Sequence, residues 1–307
     1  VRILFAGTPN VAVPALEALV RDHKVVGVLT RAPAPVGRKR VITKSAIHER
    51  ALALEIPVMT PSSLKDAVIQ EEIASYEPDA VAVVAYGMLV PKELLTVPRF
   101  GWINLHFSCL PRWRGAAPVQ YAIAAGDTQT GTAVFQIQEG LDTGPVFDIA
   151  KRELTAADTA GDLLEELAKS GAKQLSRVLS AIEVGEAKSM PQEGEPTFAP
   201  RLTSKDARMI WSQPAEQISA QSRGWWPAPG AWTELGTTRV KLGPVAATSI
   251  DGLAPGEIRA GESVLVGTST TAVELSSVAQ AGKPWMCASD WARGLVDKAF
   301  EIGGGDE

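Results

Sequence analysis

Arg2-Ile3-Leu4-Phe5-Ala6-Gly7-Thr8-Pro9 opens the chain and decides how its first half is read. Residues 2–5 form a short, mostly apolar β run, and Gly7-Thr8-Pro9 turns the chain into a helical pattern. In that pattern Val13, Leu16, Ala18, Leu19 and Val20 share an inward face. Residues 25–29 read as the next buried strand, residues 49–54 continue a helix, and Ile56-Pro57-Val58-Met59 is a short strand. Residues 80–85 are an apolar run bounded by Pro78 and Gly87, and residues 102–105 are a further central strand. Strands alternating with helices predict a parallel sheet covered on both faces. Sites in such sheets gather at the carboxyl ends of the strands. Those ends carry Gly7-Thr8-Pro9, Tyr86-Gly87-Met88 and His106. Gly7 itself reads equally well as a tight turn and as a turn that also lines a site.

The pattern then changes. Residues 132–138 and 146–152 read as two strands around the structured loop Glu139-Gly140-Leu141-Asp142-Thr143-Gly144-Pro145. Residues 162–182 carry apolar side chains at helical spacing, and Thr159 with Asp162 supplies a cap. Residues 185–206 are rich in Gly, Pro, Glu, Lys and Ser and lack periodicity, as a linker does. A short helix is predicted over 214–223. Short β runs follow at 231–235, 238–248, 256–260, 263–267 and 272–278, the pattern of a small barrel. The fold class is therefore α/β. A Rossmann-like, mostly parallel sheet occupies an N-terminal domain over 1–188. A linker spans 189–207, and a smaller OB-like β-barrel occupies 208–307.

Composition excludes several classes of function. The 307 residues are 45% hydrophobic and 21% charged, which rules out disorder for the bulk of the chain. No run of about 18 apolar residues occurs, and the N-terminal stretch is too short for a signal-peptide apolar region. A cytoplasmic protein without a membrane span is expected. The two cysteines, Cys109 and Cys287, cannot build a disulfide framework or a cysteine zinc site. His23, His48 and His106 lie far apart without ligand spacing, so no metal is expected. Neither a Gly-x-Gly-x-x-Gly fingerprint nor a Walker A sequence follows the first strand. The net charge is −5, yet the positive charge is clustered. Residues 31–50 hold Arg31, Arg38, Lys39, Arg40, Lys44 and Arg50 against Glu49 alone. A second island between 201 and 241 holds Arg201, Lys205, Arg208, Arg223, Arg239 and Lys241. Two basic islands on an acidic chain point to a localised anionic partner.

Chemistry concentrates in Asn104-Leu105-His106-Phe107-Ser108-Cys109-Leu110-Pro111-Arg112-Trp113-Arg114-Gly115. Asn104 and His106 differ by two, so on one strand they share a face at the strand's end. An amide and an imidazole converging there can stabilise an oxyanion and move a proton. Asp142, in the second Gly-bounded loop, is the candidate to orient or charge-couple the imidazole.

Asn104-x-His106-x-Ser108-x-Leu110-Pro111-x-x-Arg114-Gly115, with Gly140-Leu141-Asp142-x-Gly144, resembles the 10-formyltetrahydrofolate-dependent formyltransferases. The resemblance spans nearly the whole chain and implies that Asn104, His106 and Asp142 are catalytic. Phe5-Ala6-Gly7-Thr8-Pro9, Gly37-Arg38-Lys39-Arg40, Lys205-Asp206-Ala207-Arg208-Met209-Ile210-Trp211 and Gln213-Pro214-Ala215-Glu216 resemble the members that act on methionyl-tRNA. What this implies is direct transfer of the formyl group of 10-formyltetrahydrofolate to the free α-amine of initiator methionyl-tRNA, for translation initiation. The implied folate pocket uses Tyr86, Gly87, Met88, Leu89, Ser108, Cys109, Leu110, Pro111, Gly140 and Leu141. Met88 and Leu89 also read as ordinary core. Cys109 stands where the family usually has Leu, which implies altered packing rather than lost activity. The resemblance also implies that Arg38, Lys39 and Arg40 grip the acceptor end of the tRNA. The C-terminal barrel is the second tRNA-binding region, with most of its tryptophans, Trp211 above all, assigned to packing. A monomer is expected. An alternative acceptor is a small amine such as a nucleotide-linked amino sugar. A third reading, a non-catalytic tRNA-binding protein, is opposed by the intact Asn104, His106 and Asp142.

Overall fold

The computed structural model describes residues 1–37 and 39–295. Packing divides them into two compact units. The first holds residues 1–118, 130–152 and 164–199; the second holds 119–129, 153–163 and the chain from 200 onward.

The first unit is built in chain order from β1 (Arg2–Gly7), α1 (Val13–Asp22), β2 (Lys24–Leu29), β3 (Ala34–Val36), β4 (Val41–Thr43), α2 (Ala46–Ala53) and β5 (Val58–Met59). There follow α3 (Ala67–Ser75), β6 (Ala80–Val84), α4 (Lys92–Leu95), β7 (Trp102–His106) and β8 (Arg114–Gly115). After α5 (Pro118–Ala124), which beyond its first residue belongs to the second unit, come β9 (Gln129–Gln136), β10 (Val146–Glu153), α6 (Ala160–Glu183), which joins the first unit from Leu164, and β11 (Phe198–Ala199). A seven-stranded sheet runs in the order β10-β9-β7-β6-β1-β2-β5. It is parallel from β7 to β5 and turns antiparallel where β9 joins β7. Every residue of β6 and β7 is buried, which is why both strands read as continuous runs rather than alternating ones.

Helix α6 decides which way the site faces. Its buried residues Leu167, Ala168, Leu175, Val178 and Leu179 recur at helical spacing. At its start Thr159 donates to the Asp162 carboxylate at 2.8 Å, and its hydroxyl accepts the Asp162 N–H at 3.3 Å, which caps the helix as the sequence predicts. A Cβ on Gly171 of α6 would lie 2.9 Å from the Leu105 side chain. Leu105 therefore packs on the helix, and its neighbours Asn104 and His106 face the other side of the sheet.

Two stretches that lack periodicity in the sequence are ordered here by backbone pairing. Strands β3 and β4 form an exposed antiparallel hairpin, its turn closed by the Arg40 N–H on the Gly37 carbonyl at 3.1 Å. Residues 190–199 run back along the first unit. Met190 and Val146 exchange two backbone bonds of 2.8 Å, and β11 pairs in parallel with β8.

The second unit carries α7 (Ala215–Gly224), with Pro214 at its N-cap position. Its strands are β12 (Trp232–Leu235), β13 (Thr238–Leu242), β14 (Val245–Ala247), β15 (Ile258–Ala260), β16 (Val264–Val266), β17 (Val273–Leu275), β18 (Ser277–Gln280) and β19 (Met286–Cys287). They form two antiparallel four-stranded sheets, β12-β13-β18-β19 and β14-β17-β16-β15. Gly243-Pro244 splits the predicted run 238–248 in two, because proline has no N–H for a ladder. Met209, Trp211, Ile218, Val240, Val266, Val273 and Trp291 belong to one core. Trp211 is fully buried and its indole N–H donates to the Thr233 hydroxyl at 2.9 Å. Among the described residues no helix is long and apolar enough to cross a membrane.

Removing that indole leaves a large cavity and an abandoned Thr233 hydroxyl. Trp211→Ala is expected to cost about 3–5 kcal/mol of stability, read as a fall in the urea midpoint. An unchanged midpoint would show that the barrel does not depend on Trp211.

Candidate active site

β7 brings Asn104 and His106 to one face, opposite Phe135 and Ala133 of β9. Both side chains are buried, at 9% and 5% exposure. The His106 ring stands edge-on to Phe135, 6.4 Å between centroids and 85° between planes. Its Nε2 lies 2.9 Å from the Trp113 carbonyl oxygen. A carbonyl only accepts, so Nε2 carries a proton. In the neutral ring Nδ1 is then the acceptor. It faces Asp142 Oδ2 at 3.9 Å, too far for a hydrogen bond. That carboxylate oxygen instead accepts the Gly115 N–H at 2.8 Å. The ring is thus oriented by Trp113, while Asp142 places a negative charge opposite its free nitrogen. The Asn104 side-chain amide makes no hydrogen bond to any described residue. It leaves two donors to offer a ligand from a buried position.

The loop carrying Asp142 is held in an uncommon shape. Asp142 has φ +50° and Gly140 φ +105°, in the left-handed region. A Cβ on Gly144 would run into the Gln136 carbonyl, so only glycine fits. Gln192 Nε2 donates to the carbonyls of Asp142 at 2.7 Å and Gly144 at 2.9 Å. Gln192 Oε1 accepts from Arg114 Nη2 at 2.7 Å and Nε at 3.2 Å. The Trp113 carbonyl, the Gly115 N–H and Gln192 are the working parts that residue patterns miss. Two of them are backbone groups, and the third lies in a polar stretch without periodicity.

The candidate folate residues fall into three neighbouring segments. Tyr86 is almost fully buried, its hydroxyl has no partner among the described residues, and burial pushes that hydroxyl's pKa up to about 12 against the opposing charge of Arg31. Thr8 donates to the Tyr86 carbonyl at 3.1 Å, and Arg31 Nη2 to the Gly87 carbonyl at 3.3 Å. The Gly7-Thr8 turn therefore both packs closely and supports this loop. Met88 and Ile137 pack in one cluster, and Lys92 pairs with Glu139 at 2.7 Å, so the 86–92 and 139–144 loops are neighbours. Leu89 and Leu141 are exposed, at 86% and 47%. Ser108 is buried and donates to the Arg112 carbonyl at 2.6 Å. Leu110 packs with Ala133, Phe135 and Val146, and Pro111 follows it through a cis peptide. A groove of about 430 Å³ is lined by Leu110, Val146, Asp148, Met190 and Gln192.

Of the candidate tRNA contacts, Lys39 and Arg40 are exposed at the hairpin turn, and Arg38 lies outside the described residues. In the second unit the Arg239 guanidinium sits 3.9 Å above the Trp232 ring and donates to Ser204 Oγ at 2.7 Å.

Comparison with known proteins identifies the family. The family model described as Formyl transferase matches residues 1–179, and that described as Formyl transferase, C-terminal domain, matches residues 201–296. The methionyl-tRNA formyltransferase of Paenarthrobacter aurescens (strain TC1) is 56% identical over 298 residues, covering 96% of this chain and 97% of its own. Two solved structures share the fold. Methionyl-tRNA formyltransferase from Clostridium thermocellum has a TM-score of 0.56 at 17% identity, covering 89% of this chain and 98% of its own. HypX from Aquifex aeolicus, in complex with tetrahydrofolic acid, has a TM-score of 0.64 at 19% identity, over 95% of this chain and 46% of its own. The chain belongs to the formyl transferase family.

Cys109 tests the electrostatics of this region. Its thiol is directed at the Thr130 carbonyl, 3.2 Å away, and burial pushes its pKa up from the ordinary value. Less thiolate is therefore present at neutral pH than for a free cysteine, and thiolate is the reactive form. With iodoacetamide at pH 7.5, the exposed Cys287 should be modified at least about tenfold faster than Cys109. Equal rates would mean that Cys109 is open and activated.

Proposed function

We propose that the protein transfers the formyl group of 10-formyltetrahydrofolate to the α-amine of initiator methionyl-tRNA. The observation that carries this is the buried, unpartnered Asn104 amide beside the His106–Asp142 couple at the end of β7. The printed name of a relative 56% identical over nearly the whole chain supports the tRNA acceptor over a nucleotide-linked amino sugar.

The chemistry follows from those groups. The amine nitrogen attacks the formyl carbon, a C–N bond forms, and the carbonyl electrons move to oxygen. Asn104 donates to that oxygen as its charge develops, a service worth most in a buried site. His106 keeps its Nε2 proton on the Trp113 carbonyl and takes the proton of the attacking nitrogen at Nδ1. Asp142 stands opposite Nδ1 as the ring becomes cationic. The oxyanion then collapses, the bond from the formyl carbon to the folate nitrogen breaks, and that nitrogen receives the proton from the ring through water. No acyl-enzyme is formed, and no metal ion takes part.

Tyr86, Gly87, Met88 and Leu89 on one loop and Gly140 and Leu141 on the other form the slot for the folate, with Ser108, Cys109, Leu110 and Pro111 beside them. The exposed Leu89 and Leu141 side chains are apolar surface for a flat ring to cover. Arg38, Lys39 and Arg40 bind the tRNA together with the barrel over 208–307, while residues 1–188 carry the chemistry with the support of 190–199, which pack in the same unit, and the rest of 189–207 is linker. The enzyme works in the cytoplasm as a monomer.

The deciding assay supplies 10-formyltetrahydrofolate with either charged initiator tRNA or a nucleotide-linked amino sugar. Formylmethionyl-tRNA is expected. Product on the sugar alone would transfer the reading to the small-amine alternative, and product on neither would refute formyl transfer.

Within that assay the roles separate. Asn104→Ala should lower kcat by about 10²–10³ with the Kd for tRNA unchanged. Asp142→Asn keeps an acceptor for the Gly115 N–H and removes the charge, so kcat should fall by about 10²-fold while the melting temperature holds. Activity within a few-fold of the unsubstituted protein would remove either residue from the mechanism.

A further inference from the structure

We propose that Gln192 is a positioning residue for this reaction, holding the Asp142 carboxylate at the His106 imidazole through the backbone of the loop. The inference rests on the formyl-transfer reading of the site and names a part of it that the catalytic motifs do not contain.

Asp142 needs such a hold. It sits in an exposed loop with left-handed backbone, and among the described residues its carboxylate makes one hydrogen bond, to the Gly115 N–H. A loop residue held only by its own side chain would swing with the loop. Gln192 fixes the backbone on both sides, because its two amide hydrogens go to the carbonyls of residues 142 and 144. Its oxygen takes two N–H groups of Arg114. All four hydrogen-bonding positions of the amide are then filled.

The choice of Arg114 as second partner matters. Arg114 stands between Trp113, whose carbonyl holds the His106 ring, and Gly115, whose N–H holds the Asp142 carboxylate. One side chain therefore ties the segment that orients the base to the loop that carries the charge. The backbone around Gln192 is itself anchored on both sides. Met190 exchanges two bonds with Val146, and Thr197 receives the N–H groups of Trp113, at its hydroxyl, and of Arg114, at its carbonyl. Glutamine is required rather than glutamate. A carboxylate would keep Arg114 but turn two acceptors toward two carbonyls, leaving both unpaired and repelled.

Gln192→Glu and Gln192→Met in the full chain test this. Both keep the length of the side chain and remove the donors. The expected result is a 10- to 100-fold fall in kcat for each, roughly the loss assigned to a misplaced acid–base partner, with KM for folate and tRNA within threefold. In an Asp142→Asn background either change should cost less than twofold more, because the group being positioned is already gone. Hydrogen exchange gives a readout independent of activity. The Gly115 amide should exchange at least about tenfold faster in both variants, while amides of β6 stay unchanged. Unaltered kcat, additive losses with Asp142→Asn, or a Gly115 amide as protected as before would each overturn the proposal. If one variant does not fold, the other decides. If the unsubstituted protein forms no formylated product, the reading of the reaction fails, and the exchange result alone judges the positioning role.

Discussion

The site hangs on one hydrogen bond, from His106 Nε2–H to the Trp113 carbonyl at 2.9 Å. It commits Nε2 to the carbonyl and leaves Nδ1 facing Asp142. It also makes the imidazole's orientation a property of the 113–115 backbone rather than of a carboxylate. Trp113 is in the left-handed region at φ +62°, a conformation that needs outside support. The support comes from residues 197–199, which receive the N–H groups of Trp113, Arg114, Ala116 and Ala117. The His106 ring on a central strand is thus aimed by a segment more than eighty positions later.

That dependence explains what could be read in advance and what could not. β7 was legible because a central strand buried on both faces is an apolar run, and the period of two put Asn104 and His106 together. Helix α6 was legible from spacing and from its Thr159 cap. The loop with Asp142 was legible as a Gly-bounded turn between strands, and its tightness at Gly144 gives that glycine a steric reason. Residues 185–206, by contrast, carry no periodicity, yet 190–199 make some of the contacts that shape the site. Those contacts use backbone N–H and C=O groups, which every residue but proline possesses, so composition cannot reveal them. Gln192 hides for the same reason, as one polar side chain among Pro, Glu and Gly. The 34–43 hairpin was hidden by shortness, since three residues a side leave no pattern to count.

For the tryptophans, composition leaves two readings open. Six of the eight lie beyond residue 210, and aromatics beside basic residues can mean stacking on a nucleic acid. Trp211, Trp225 and Trp291 are buried, as their assignment to packing expects, and Trp225 meets Tyr121 edge-on at 5.6 Å. Trp232 differs: its ring is covered by Arg239, with Arg208 5.7 Å away. There the aromatic surface is used to hold guanidinium groups in place. Arg208 also pairs with Glu234 at 2.7 Å, so part of this positive charge is balanced locally, on a chain whose net charge of −5 gives no general attraction for an anion.

Asn104 closes the argument about function, because its amide stands beside His106 with no hydrogen-bond partner among the described residues. The residue is 9% exposed and its amide atoms still reach solvent, so the group stays open to a ligand. An amide kept unpaired next to an oriented imidazole and a fixed carboxylate is a donor reserved for an atom the protein itself does not supply. An oxygen that gains charge during a reaction is such an atom, and a donor already in place need not reorganise when that charge appears.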